Sequence, residues 1–229
     1  MNIAIFGGTF DPVHRGHLAV ARAAARRYAL DQVHFVPSHK PPHRQRPPLA
    51  AFHDRFAMLA LATASERRFF PSALEAQPGA RSSGFNYSID TVRRMKRQMK
   101  RGDRLFFLIG MDAFREIATW RKPEALLEEC DFIVASRPGY SLLDVLQALP
   151  IKIQKEVAQQ ALAGLSRSGK IALRGTSIHL LEGVRAPISA TAVRAAAREG
   201  QPLKKLVPPD VADYIRKTGL YQPRSPGIG

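Results

Sequence analysis

The chain has 229 residues, 45% of them hydrophobic, with 35 Lys+Arg against 19 Asp+Glu and a formal net charge of +16. That length suits one sizeable domain with a real core. The single cysteine, Cys130, excludes an internal disulfide framework and a cysteine-rich zinc site, and no window approaches the ~20 apolar residues of a membrane span.

The N-terminus runs straight into a strand pattern, without the basic, apolar and cleavage regions of a secretion signal. A soluble, cytoplasmic protein is therefore expected. The positive balance favours polyanions and phosphorylated metabolites as partners. Its basic residues are spread along the chain, with one modest cluster, RRMKRQMKR, at 93–101. On a helix such a run forms a solvated face. A nucleic-acid-binding protein is the non-enzymatic alternative. It calls for aromatic platforms among the basic residues, and residues 93–101 contain none.

Residues 3–6 form a continuously apolar run, the pattern of a strand in a sheet covered on both faces. Leu18, Ala21, Ala25 and Tyr28 then follow helical spacing. Residues 32–37 predict a second strand, 38–48 a proline-rich basic loop, 49–64 a helix, 69–76 a strand and 79–85 a loop. Residues 88–99 predict an amphipathic helix, 104–110 a buried strand, 112–117 and 123–129 short helices, and 132–135 a strand. A turn follows at 137–140. A helix is expected over 151–165, a last strand over 178–181, and helices over 190–199 and 209–218. Residues 1–222 make one domain, and 223–229 a frayed tail. Strands alternating with helices imply an α/β fold with a Rossmann-like, doubly wound parallel sheet. In such a sheet ligands bind beyond the carboxyl ends of the strands. The turn after the first strand, the loop after the second and the turn at 109–112 all belong to that edge.

The turn GGTFDPVHRGHL at 7–18 concentrates chemistry. Gly7 and Gly8 remove two Cβ atoms, which permits unusual backbone angles and close approach of a ligand. A helix beginning near Gly16 turns its N-terminus, which favours phosphate, toward the same place. His14 and His17 add two imidazoles able to donate to phosphate oxygens, more strongly when protonated. The stretch is neither a Walker loop nor a GxGxxG fingerprint. Zinc held by the two histidines is a second reading, although the glutamate of H-E-x-x-H and an evident third ligand are absent. A plain glycine turn is the third.

The stretch Gly7–His17 resembles the (T/H)xGH signature of the nucleotidyltransferase superfamily, and Ile188-Ser189-Ala190-Thr191-Ala192-Val193-Arg194 resembles its second signature, ISxTxxR. Pro41-Pro42-His43-Arg44, Asn86 to Thr91, Ile109 to Asp112 with Thr119-Trp120, and Arg137 to Tyr140 extend the likeness to the bacterial nicotinate-nucleotide adenylyltransferases, from Met1 to about Tyr221. The similarity is weakest between 141 and 181.

The resemblance implies adenylyl transfer from ATP to nicotinate mononucleotide, giving deamido-NAD and pyrophosphate. It assigns Gly7, Gly8, Thr9, Phe10, His14, His17, Ser189, Thr191 and Arg194 to ATP. His14, His17 and Arg194 carry the catalysis, with His17 on the α-phosphate and Arg194 on the β- and γ-phosphates. Ser189 is a helix cap, a phosphate ligand or both. Mg²⁺ is implied as a companion of ATP, with no dedicated protein ligands. The mononucleotide is assigned to Lys40, His43, Arg44, Ser88, Asp112, Trp120 and Arg121. Trp120 stacks on the pyridine ring, and backbone amides near Ser88 and Arg121 hold its carboxylate. The family commonly has Thr at the Ser88 position, a change that a backbone contact survives. Nicotinamide mononucleotide and phosphopantetheine are the rival acceptors. Monomer and homodimer both remain open.

Overall fold

A computed structural model of the chain describes residues 1–40, 48–76, 84–136, 139–161, 170–184 and 187–223. The turn at 137–138, the loop at 79–83 and the tail from 224 lie outside the described residues. In chain order, β1 (Asn2–Gly8) leads into α1 (Arg15–Arg27), β2 (Gln32–Pro37), α2 (Phe52–Thr63), β3 (Phe69–Pro71) and α3 (Ser88–Lys96). Next come β4 (Arg104–Gly110), α4 (Met111–Phe114), a 3₁₀ turn (Ile117–Thr119), α5 (Pro123–Glu129) and β5 (Asp131–Ala135). The chain continues with α6 (Leu142–Ala148), α7 (Ile151–Ala161), β6 (Lys170–Ala172), β7 (Ser177–Leu181), α8 (Ala190–Arg198) and α9 (Pro209–Thr218).

The strands form one sheet in the order β3-β2-β1-β4-β5-β7-β6. Every neighbouring pair is parallel except β6 with β7. Side chains alternate across the sheet, so an apolar run serves two cores at once. Ala4 and Phe6 of β1 and Phe106 and Leu108 of β4 pack with Leu18 of α1, Met58 of α2, Val193 of α8 and Val211 of α9. Ile3 and Ile5 of β1 and Phe107 and Ile109 of β4 pack with Ile89 of α3, Phe114 of α4, Leu126 of α5 and Val145 of α6. The helices therefore cover both faces. No helix among the described residues is long and apolar enough to cross a membrane.

β1 has β2 on one side and β4 on the other. The chain winds outward from β1 in one direction through β2 and β3, and in the other through β4, β5 and β7. This is the switch point of a doubly wound sheet, where the loops at the carboxyl ends diverge and leave a crevice.

The structure corrects several expectations. The sheet is not wholly parallel, because β6 returns against β7 as a hairpin through Gly175 at φ 80°. β3 ends at Pro71, five residues short of the expected end, although Ser72 N–H still donates to Phe35 O at 2.9 Å. α3 stops at Lys96, three residues short of the expected end. The single helix expected over 151–165 is preceded by α6, whose N-terminus is closed by reciprocal bonds between Ser141 and Asp144. Pro150 separates α6 from α7, as a residue without an amide proton does. Cys130 is a buried free thiol directly before β5, and burial pushes its pKa up and keeps it inert.

Candidate active site

The turn after β1 is built by close packing. Gly7 and Gly8 both remain in the strand, so they do not supply the unusual backbone angles expected of them. The residue with a left-handed backbone is Phe10, at φ 50°, a rare conformation for a side chain with a Cβ. The glycines are needed for contact: a Cβ on Gly8 would sit 3.0 Å from the Phe10 ring, and one on Gly7 3.4 Å from Phe107. Phe10 is 2% exposed. Its ring packs against Phe6, Phe35 and His17 at centroid distances of 5.6, 5.7 and 5.0 Å.

His14 and His17 close the N-terminus of α1 on each other. His14 N–H donates to His17 Nδ1 at 3.2 Å, and His17 N–H reaches back to His14 Nδ1 at 3.4 Å. The rings stack with centroids 3.7 Å apart. Each Nδ1 accepts a backbone proton and must offer a lone pair, so in a neutral ring the proton sits on Nε2. Burial lowers the His14 pKa to about 4. The His17 pKa is also held well below its ordinary value, by burial first and by the neighbouring His14 second. Both rings are therefore neutral near pH 7, each with one Nε2–H to give, and not the imidazolium donors that pattern alone allowed. The first-turn amides are partly used within the protein: Arg15 N–H donates to Leu206 O at 2.9 Å, and His17 N–H also reaches His14 O.

The second signature closes over this turn. A Cβ on Gly16 would meet His14 Nδ1 at 2.9 Å and Ile188 O at 3.3 Å, so only glycine lets the loop before α8 lie against the start of α1. Ser189 caps α8, accepting from Ala192 N–H at 3.2 Å. Arg194 sits one turn on. Its guanidinium donates to Asp11 O at 2.7 Å and to Thr191 Oγ1 at 3.1 Å.

These elements surround a cavity of about 370 Å³ whose lining includes Gly7, Thr9, Phe10, His14, His17, Asp112, Ser189 and Arg194. A second cavity, of about 360 Å³, is lined by Asn86, Tyr87, Ser88, Thr119, Trp120, Arg121 and Leu126. Tyr87, at the N-cap of α3, makes no side-chain capping bond, so the positive end of that helix opens at Ser88. The Arg121 guanidinium lies 4.5 Å from the centroid of the Tyr87 ring. Phe107 lies between residues of the two cavities: its ring meets the Trp120 ring edge-on with centroids 6.4 Å apart and lies beneath Gly7.

Of the residues singled out from sequence, Gly8 and Thr191 are not in the cavity lining. Gly8 serves the packing of Phe10, and Thr191 braces Arg194. Asp112 lines the first cavity and not the one around Trp120. Lys40 is exposed and lines neither cavity, its ammonium 5.0 Å from the Phe85 ring centroid and its carbonyl accepting Asn86 N–H at 3.1 Å. His43 and Arg44 lie outside the described residues. Among the described residues no group of three or more His, Cys, Asp or Glu could hold a metal ion, so the zinc reading has no third ligand there.

Sequence reasoning missed the polar frame behind the cavity. Arg55 is 1% exposed and donates to Thr9 O at 2.7 Å and Ala50 O at 3.2 Å. The signal was present: it is an arginine in helical register with Met58, Leu59 and Ala62 on the apolar face of α2. Ser136 also lines the first cavity and directly precedes the turn that carried part of the resemblance; Tyr140, which ends that turn, lines it too. Tyr221 had no local signal.

The profile of the Cytidylyltransferase-like family matches residues 5–196. A Moorella thermoacetica protein named "Probable nicotinate-nucleotide adenylyltransferase" is 39% identical over 226 residues, covering 99% of this chain and 94% of its own. A Geobacter sulfurreducens protein of the same name is 39% identical over 225 residues, covering 96% and 98%. The chain belongs to the nicotinate-nucleotide adenylyltransferase family. The Plasmodium falciparum nicotinic acid mononucleotide adenylyltransferase complexed with NaAD shares the fold, with a TM-score of 0.69 at 20% identity over 96% of this chain and 97% of that one. The adenylyltransferase fold thus spans the described sheet and both cavities.

Proposed function

We propose that the chain transfers the adenylyl group of ATP to nicotinate mononucleotide, releasing pyrophosphate. The observation that carries this reading is the convergence of His14, His17, Ser189 and Arg194, from the two ends of the chain, on one cavity at the switch point of the sheet. The names of the relatives support the acceptor. The uncapped start of α3 beside Trp120 suits a flat ring bearing a carboxylate, which receives backbone N–H groups and the positive end of the helix dipole.

A phosphate oxygen of the mononucleotide attacks the α-phosphorus of ATP in line. The new phosphoanhydride bond forms as the bond to the β-phosphate oxygen breaks, and pyrophosphate leaves with that electron pair. Nucleophile and leaving group are both anionic oxygens, so no general base and no covalent intermediate are needed. Catalysis is alignment and charge stabilisation. The Nε2–H groups of His14 and His17 donate to phosphate oxygens, His17 at the α-phosphate. Arg194 takes the charge that grows on the leaving pyrophosphate. Lys40, with His43 and Arg44, supplies positive charge for the mononucleotide phosphate, and Asp112 suits a ribose hydroxyl. Mg²⁺ enters as part of MgATP. The net charge of +16 draws both anionic substrates toward the chain.

Pyrophosphate release is the test, measured with MgATP and, in turn, nicotinate mononucleotide, nicotinamide mononucleotide and phosphopantetheine. Turnover with nicotinate mononucleotide at least tenfold above the other two is expected. Preference for either rival would overturn the acceptor, and no release with any of them would overturn the reaction. In the same assay His17→Ala should lose about 10²–10³ in kcat, the usual cost of one preorganised donor to a developing charge.

A further inference from the structure

The turn that follows α9 reaches the turn after β1. Gly219 ends α9 with φ 67°, and Tyr221, also left-handed at φ 67°, folds back so that its hydroxyl donates to Asp11 Oδ1 at 2.8 Å. Asp11 is 4% exposed. Its other oxygen accepts Leu49 N–H at 2.8 Å, and Oδ1 also takes Ala50 N–H at 3.1 Å. The carboxylate is thus gripped from three residues of two distant segments. A buried carboxylate with this many donors is held to one position and one rotamer. The backbone carbonyl of the same residue receives the Arg194 guanidinium at 2.7 Å. Tyr221 remains a donor at any working pH, because burial, followed by the Asp11 charge, raises its pKa.

We propose that Asp11 and Tyr221 are positioning residues for adenylyl transfer: the C-terminal hydroxyl and the amides before α2 fix Asp11, and the Asp11 carbonyl aims the Arg194 guanidinium into the cavity. Arg194 is long and flexible, and its one other bond among the described residues, to Thr191 Oγ1, comes from its own helix. The contact with Asp11 is the one that ties it to the histidine turn. Geometry of this kind acts on the transition state more than on ground-state binding. The C-terminal turn therefore belongs to the active-site frame, although it touches no substrate.

This inference rests on the adenylyl-transfer reading. It is tested with Tyr221→Phe, which keeps the ring in its apolar contacts and removes only the donor. In the full-length chain, kcat should fall about tenfold while KM for MgATP changes less than threefold and the thermal midpoint moves by only a few degrees. The pair Tyr221→Phe with Arg194→Lys should be no slower than Arg194→Lys alone, since a lysine lacks the fork that Asp11 holds. An unchanged kcat in Tyr221→Phe would overturn the proposal. So would losses that multiply in the double variant, or a midpoint so lowered that the chain unfolds at the assay temperature, because the hydroxyl would then be holding the fold. The failure of the broader reading is distinct, being the absence of pyrophosphate release by the unaltered chain.

Discussion

The two histidines at the start of α1 are chemically defined by each other. Because each Nδ1 is occupied by a backbone proton, the pair presents two Nε2–H donors without a carboxylate to set the tautomer. Charge stays off the rings, which avoids placing two imidazolium ions 3.7 Å apart in a buried site. This arrangement has a cost in acid. The folded pKa of His14 lies near 4, against an ordinary 6.5, so below pH 6.5 the unfolded chain binds protons that the folded chain refuses. Stability is therefore lost as pH falls from about 6.5 toward 4, by ~3 kcal/mol for His14 if the shift is complete. His17 acts in the same direction. Urea midpoints at pH 7.5 and 4.5 check this: the drop should be clearly smaller in His14→Gln. An equal drop in both chains would assign the acid sensitivity elsewhere. That the two histidines face one cavity was legible from spacing and residue type. Their protonation was not, because it depends on burial that no local pattern encodes.

Among the elements, the junction of α1 with the loop before α8 governs the site. Gly16 is the point where they meet, since any side chain there would press on the His14 ring and on the Ile188 carbonyl. Gly16→Ala should cost about 1–3 kcal/mol by overpacking, and it should lower kcat/KM at least tenfold because the ring that must yield is His14. Chemical denaturation and steady-state kinetics on the same sample measure both; wild-type kinetics in a destabilised variant would show that the rings can shift without loss. The central strands were easy to read: β1 encloses the apolar run 3–6 and β4 the apolar run 105–109. α6 and β6 were not. With seven and three residues they are too short to establish a period. The clue for α6 was the Ser141–Asp144 capping pair, a side-chain signal independent of hydrophobic spacing.

At the scale of the whole molecule, the two signatures lie 171 positions apart, counted from His17 to Ile188, and meet because the sheet winds outward in both directions from its middle. β1 delivers the histidines, β4 delivers Met111 and Asp112, and β7 leads into α8 with Ser189 and Arg194. The second cavity forms at α3, and the Phe107 ring lies between Trp120, which lines it, and Gly7, which lines the first. Fold class could be foreseen because strands alternating with helices imply a doubly wound sheet, and the first cavity because each signature carries its own turn. The Asp11–Tyr221 contact, bridging 210 positions, could not. It depends on how α9 ends and on which way the last residues turn, and these are settled by packing alone.

The central claim is that the imidazole pair and Arg194 serve one triphosphate. Nitrogen NMR on the chain labelled with ¹⁵N histidine and arginine, titrated with the magnesium complex of α,β-methylene ATP at pH 7.5, tests it directly. The Nε2–H signals of His14 and His17 and the guanidinium of Arg194 should move together along one saturation curve, with both rings keeping their proton on Nε2. Saturation that leaves His17 or Arg194 unmoved, or that requires two separate binding constants, would contradict the account.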